Sequence, residues 1–135
     1  FRERLGNFYT EDRHIRLIPF GTVPLNQLLM SCHMLITDYS SIYIDYLIHN
    51  RPMIFLPYDK EKYLQGRGMN FEYDKVTPGV KPESLREFMD RIHETFSGKD
   101  PYFAERQRCN DFFNEVRQPC MQKICEEVKA YAHID

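Results

Sequence analysis

The chain has 135 residues, 42% apolar and 14% aromatic, with 18 basic and 20 acidic side chains for a formal charge of −2. That length supports one domain with a sizeable core and not two large ones, and nothing in the near-neutral balance calls for nucleic acid as a partner. No apolar run approaches the roughly 18 residues of a membrane-spanning helix, and the four cysteines show no CxxC spacing, so reduced thiols are expected rather than a zinc site.

The first residues, Phe1-Arg2-Glu3-Arg4, include neither Met nor a secretory leader, and the chain is expected to be a piece of a longer protein. His14–Phe20, HIRLIPF, alternates apolar residues and predicts a strand. Gly21 and Pro24 punctuate a loop. Leu25, Leu28, Leu29 and Cys32 recur at helical spacing across Pro24–Cys32. Met34–Thr37 reads as a short buried strand, and Ser40–Asn50 as a helix with Ile44, Leu47 and Ile48 on one face. Pro52–Leu56 is a further apolar run. Alternation of strand and helix with short connections implies a parallel sheet with crossover helices, an α/β architecture.

Pro57–Val80 mixes tyrosines, charges and glycines and predicts a long, partly helical loop over the sheet edge. Pro82–Phe96 starts with Pro in a first helical turn and closes at Gly98. Asp100-Pro101 opens a helix to about Val116, and Pro119 opens a last one with Met121, Ile124, Cys125 and Val128 on one face. The whole chain, 1–135, is expected to be one domain, with a core at about 12–98 and a helical tail at about 99–135.

The stretch Leu35–Ser41, LITDYSS, carries the chemistry. In open parallel sheets ligands bind at the carboxyl ends of strands, and this is such an end. The N–H groups of the next helix carry partial positive charge and suit a phosphate. Ser40 and Ser41 add hydroxyls there, with the amides of Thr37 and Tyr39 close by. Asp45 stands one turn beyond Ser41 and suits a ribose diol better than a phosphate. The competing reading is plain helix capping, by Asp38 or Ser40.

The run from Thr37 to Ser41, with Asp45-Tyr46, Arg51-Pro52, Asp59, Tyr63, Arg67-Gly68, Phe71, Tyr73-Asp74 and Pro78-Gly79, resembles the donor-binding half of the CDP-glycerol glycerophosphotransferase family, the teichoic-acid polymerases and primases. The likeness covers roughly positions 14–80. It implies one Rossmann-like half of a GT-B glycosyltransferase fold. It also implies transfer of a polyol phosphate from CDP-glycerol or a similar CDP-polyol to a lipid-linked polymer acceptor of teichoic-acid or capsular type, with CMP released. Thr37, Tyr39, Ser40, Ser41 and Arg67 would hold the donor phosphates. Asp45 and Asp38 would serve the ribose and phosphate network, and Pro19, Phe20 and Gly21 would pass beside the base. The protein would work in the cytoplasm, peripherally at the inner face of the membrane, together with an N-terminal half not contained in these residues. No metal or other cofactor is implied, since no Asp-x-Asp motif occurs.

Two departures stand out. His33 occupies a position that is often Asp in the family, and the His-Gly motif that carries the family's proposed base is missing, so the catalytic base is not assigned. His14 is the candidate for a second functional histidine, with a structural strand-edge role as its rival. The same layout, with Gly-Gly in place of Ser40-Ser41 and Glu in place of Asp45, occurs in nucleotide-sugar 2-epimerases. The donor half of another GT-B glycosyltransferase or of a nucleotide-sugar 2-epimerase is one alternative, and a non-catalytic regulatory or interaction domain is another. Arg106, Arg108, Lys123 and Lys129 are expected on solvated helix faces.

Overall fold

A computed structural model of the chain describes residues 14–19, 21–115 and 120–132. The chain divides into two compact units, Phe1–Ser31 and Cys32–Asp135.

In the first unit, residues 14–19 are exposed coil, not the expected strand. Ile15, Leu17 and Ile18 face solvent. Alternation alone does not make a strand without a partner ladder, and no strand pairs with this segment among the described residues. Pro19 turns the chain, its carbonyl accepting the Thr22 N–H at 3.2 Å and the Thr22 hydroxyl at 2.7 Å. Helix α1, Leu25–Ser31, follows as expected, with Leu29 its buried residue.

The second unit holds a small parallel sheet. Strand β1, Leu35–Thr37, pairs with β2, Met53–Phe55, in the register Leu35–Met53, Ile36–Ile54, Thr37–Phe55. Helix α2, Ile42–Leu47, connects them. Val80 extends the sheet on the far side of β2 through a parallel bridge to Ile54, and the Phe55 N–H donates to the Val80 carbonyl at 2.8 Å. The fold is thus mixed α/β. The loop between β2 and Val80 is partly helical, as its sequence suggests, with α3 at Lys60–Gly66 and α4 at Tyr73–Val76. Helices α5 (Leu85–Phe96), α6 (Phe103–Phe113) and α7 (Met121–Ala132) complete the unit. The expected helix openings at Pro82 and Asp100-Pro101 fall a few residues before the observed starts, while Val116 and Pro119 lie outside the described residues.

The core forms where α2 lies on the sheet. All three residues of β2 are buried, as befits a strand covered on both faces. The inward face of α2 is Tyr43, Tyr46 and Leu47, not Ile44, Leu47 and Ile48. The helix stops at Leu47, so Ile48 falls beyond its last turn and is 62% exposed. Gly79 packs so close to β2 that a Cβ there would collide with the Met53 carbonyl and stand 2.9 Å from the Phe55 ring.

Arg106 corrects the expectation of a solvated face: it is 1% exposed. Its guanidinium donates twice to Asp100, at 2.8 and 2.5 Å, and also to the Asn50 side-chain oxygen at 3.1 Å and the Asn50 carbonyl at 3.2 Å. A buried arginine survives only when its fork of donors is met in this way. The contact fastens α6 to the turn that ends α2, where Asn50 adopts φ +46°.

Candidate functional site

The site is built from the carboxyl end of β1 outward. The Thr37 carbonyl accepts the Leu56 N–H at 2.8 Å, which fixes that end against β2. Asp38 then turns the chain: its carboxylate accepts the Ser40 N–H at 3.2 Å, and its carbonyl accepts the Tyr73 hydroxyl at 3.0 Å. The Ser40 hydroxyl accepts the Ile42 N–H at 3.4 Å, the long limit of such a bond. Both residues named for the capping reading are therefore engaged with the backbone of this turn. Ser41 occupies the position before α2, with helical backbone angles of −66° and −5°, and its side chain makes no cap bond.

The Tyr39 ring turns toward α3. It stacks on Tyr63 with centroids 4.1 Å apart and planes 23° from parallel. Its hydroxyl oxygen accepts the Asp59 N–H at 3.3 Å. Burial, followed by the Asp59 carboxyl, raises the Tyr39 pKa above the ordinary phenol value. One Asp59 carboxylate oxygen is buried without a hydrogen-bond partner. Burial also raises Tyr73 above the ordinary phenol range and pushes Tyr43 up to about 12.

Between this turn and the loop after α3 lies an open cleft of about 390 Å³, within the size range of small-ligand sites. Ser41 and Tyr39 line one side, and Arg67, Asn70 and Phe71 line the other. Arg67 is exposed at the C-terminus of α3, and Gly68 ends the helix with φ +68°, a conformation that favours glycine.

The structure therefore brings Tyr39, Ser41 and Arg67 to one cleft. Thr37 ends β1, Asp38 and Ser40 sit in the adjoining turn, none of the three lines the cleft, and Asp45 is exposed on α2. His14, Pro19 and Gly21 are exposed residues of the first unit, and Phe20 lies outside the described residues. Asn70 is a lining residue that sequence reasoning missed. Its only signal was a short amide between Gly68 and Phe71.

Two lysines stand over the ring of Tyr73, a residue that lines the cleft. Lys60 donates to Asp74 at 2.5 Å, and this hydrogen bond holds the Asp74 pKa below the ordinary carboxylate value. Lys81, half-buried beside the Phe55 and Tyr73 rings, donates to the Thr77 carbonyl at 2.8 Å. Burial lowers its pKa, and nearby Asp74 opposes that change. A separate cavity of about 340 Å³ borders Lys81, Arg91 and Lys99, but Arg91 is already bound to Glu94 at 2.6 Å. Among the described residues no cluster of three or more His, Cys, Asp or Glu side chains converges to hold a metal ion.

Comparison with known proteins gives a consistent result. The sequence profile of the family described as CDP-Glycerol:Poly(glycerophosphate) glycerophosphotransferase matches residues 7–128. The chain is 36% identical over 114 residues to a teichoic acid poly(ribitol-phosphate) polymerase of Bacillus spizizenii, covering 74% of this chain and 18% of that protein. It is 35% identical over 83 residues to a teichoic acid glycerol-phosphate primase of Bacillus subtilis, covering 61% of this chain and 22% of that protein. It is 28% identical over 106 residues to a teichoic acid glycerol-phosphate transferase of Staphylococcus aureus, covering 77% of this chain and 27% of that protein. The matched region is about a quarter or less of each of these relatives.

Proposed function

Because the chain belongs to the CDP-glycerol:poly(glycerophosphate) glycerophosphotransferase family, we propose that it is the donor-binding part of a polyol-phosphate transferase. The full-length protein would take a CDP-linked polyol and pass the polyol phosphate to a teichoic-acid-like or capsular polymer, releasing CMP. In this reading the chain is one Rossmann-like half of a GT-B enzyme. The acceptor is lipid-linked, and the protein works at the cytoplasmic face of the membrane. Among the described residues no helix is long and apolar enough to cross a membrane.

The observation that carries the proposal is that Ser41 and Arg67 open onto one cleft beside the carboxyl end of β1. That edge of a parallel sheet is where such folds bind ligands. In the proposed reaction an acceptor hydroxyl attacks the β-phosphorus of the donor. Its oxygen forms the new P–O bond as the bond to the bridging oxygen breaks, and CMP departs with the electron pair. The hydroxyl proton goes to a base outside the residues assigned here. The role of this chain is to hold the diphosphate in line and to neutralise charge on the departing CMP, through the Ser41 hydroxyl, the neighbouring amides and the Arg67 guanidinium. Arginine suits that task because its planar fork meets two phosphate oxygens at once.

Calorimetric titration of the full-length protein with CDP-glycerol tests this. Binding is expected to weaken about tenfold or more in the Ser41→Ala, Arg67→Ala double variant, the loss of charge-assisted hydrogen bonds to the phosphates. Undiminished binding and turnover in that variant would overturn the assignment.

A further inference from the structure

The donor cleft has one wall on the turn after β1 and the other at the end of α3, and the link between the walls is an aromatic stack. Helix α3 has seven residues and buries none of them. A helix that short has little stability of its own and must be held by its contacts. Tyr39 supplies two such contacts. Its ring lies against Tyr63 at 4.1 Å, and its hydroxyl oxygen accepts the N–H of Asp59, the residue before the helix. The Lys60–Asp74 ion pair also touches α3, but its side chains are 35% and 56% exposed and the pair is therefore weak.

The two walls are thus spaced by a short chain of parts. Ser41 lies two residues after Tyr39. Tyr39 is stacked on Tyr63. Arg67 lies one helical turn after Tyr63, with its N–H donating to the Tyr63 carbonyl at 2.8 Å. We propose that Tyr63 is a positioning residue: stacked on Tyr39, it sets the separation between Ser41 and Arg67 so that both reach one diphosphate. This deepens the functional reading above and rests on Arg67 and Ser41 binding the donor phosphates.

Tyr63 also lines the cleft, but a positioning role reaches the ligand through Arg67 and so predicts non-additivity, whereas a direct contact would cost the same in either background. The test measures the CDP dissociation constant of the full-length protein by calorimetry for wild type, Tyr63→Leu, Tyr63→Phe, Arg67→Ala and the Tyr63→Leu, Arg67→Ala double variant. Arg67→Ala is expected to weaken binding by about tenfold or more, as for a lost arginine–phosphate contact. Tyr63→Leu is expected to cost about threefold to tenfold alone, on the scale of one aromatic pair, yet less than about twofold in the Arg67→Ala background. Tyr63→Phe keeps the ring and restores affinity to within about twofold of wild type.

A Tyr63→Leu loss that is equally large in both backgrounds, as a general unfolding defect would give, overturns the proposal. So does Tyr63→Leu without effect while Arg67→Ala weakens binding; in both cases the donor-site reading survives. If Arg67→Ala itself binds CDP normally, that reading of Arg67 fails and the positioning role fails with it.

Discussion

Replacing Arg106 with Met puts the most weight on a single side chain. The variant keeps much of the stem's volume but removes four hydrogen bonds, two to Asp100 and two to Asn50. Arg106 is 1% exposed, whereas the Asp100 side chain retains 28% exposure. Removing one partner of a buried pair costs about 3–5 kcal/mol. Because water can still reach Asp100, a value near the lower end, about 3 kcal/mol, is expected. That is a large share of the roughly 5–15 kcal/mol by which domains are stable. With a urea slope of about 1.5–3 kcal/mol per molar, the unfolding midpoint should fall by about 1–2 M. The chain has nine tyrosines and no tryptophan, so near-ultraviolet circular dichroism of the tyrosines is the natural probe. Adding Asp100→Asn to Arg106→Met should cost much less than Asp100→Asn alone, since the two groups form one network. A loss below about 1 kcal/mol in Arg106→Met at unchanged slope would refute the reasoning.

Three further outcomes follow from the packing. Gly79→Ala should lower stability by about 1–3 kcal/mol, because the new methyl meets the Met53 carbonyl and the Phe55 ring, which only a shift of β2 can relieve; thermal unfolding measures it. Ser84→Ala should cost about 1 kcal/mol, since Ser84 accepts the Glu87 N–H at 3.2 Å and caps α5; hydrogen exchange should show the first turn of α5 opening more readily. Tyr43 ionises near 12 in the folded chain against 10.0 for a free phenol, so its contribution is full below pH 10 and is lost as pH rises toward 12. The urea midpoint should therefore fall across that window and fall less steeply in Tyr43→Phe; a midpoint that does not change with pH there would contradict it.

Much of the second unit was legible in the sequence because its signals are local. Short apolar runs marked β1 and β2, and a Ser-Ser turn between them marked the start of α2. The burial of Tyr43 and Tyr46 was not legible, because spacing does not report how α2 is rotated against the sheet, and spacing alone continued the helix to Asn50. HIRLIPF alternates well, yet a strand needs a neighbouring ladder that no single segment reports. Arg106 looked like a surface charge because nearby Asp100 satisfies only part of its guanidinium, and the other partner, Asn50, stands 56 positions away. In the site, Ser41 and Arg67 could be named from motif and chemistry. The stack of Tyr39 on Tyr63 could not, since two tyrosines among many announce no contact until the fold joins them.

A crystal structure of the full-length protein bound to CDP tests the central claim most directly. The diphosphate is predicted between the Ser41 hydroxyl and the Arg67 guanidinium, within hydrogen-bond distance of both, about 3 Å. A diphosphate held elsewhere, with the cleft between Tyr39 and Arg67 left empty, would contradict the account.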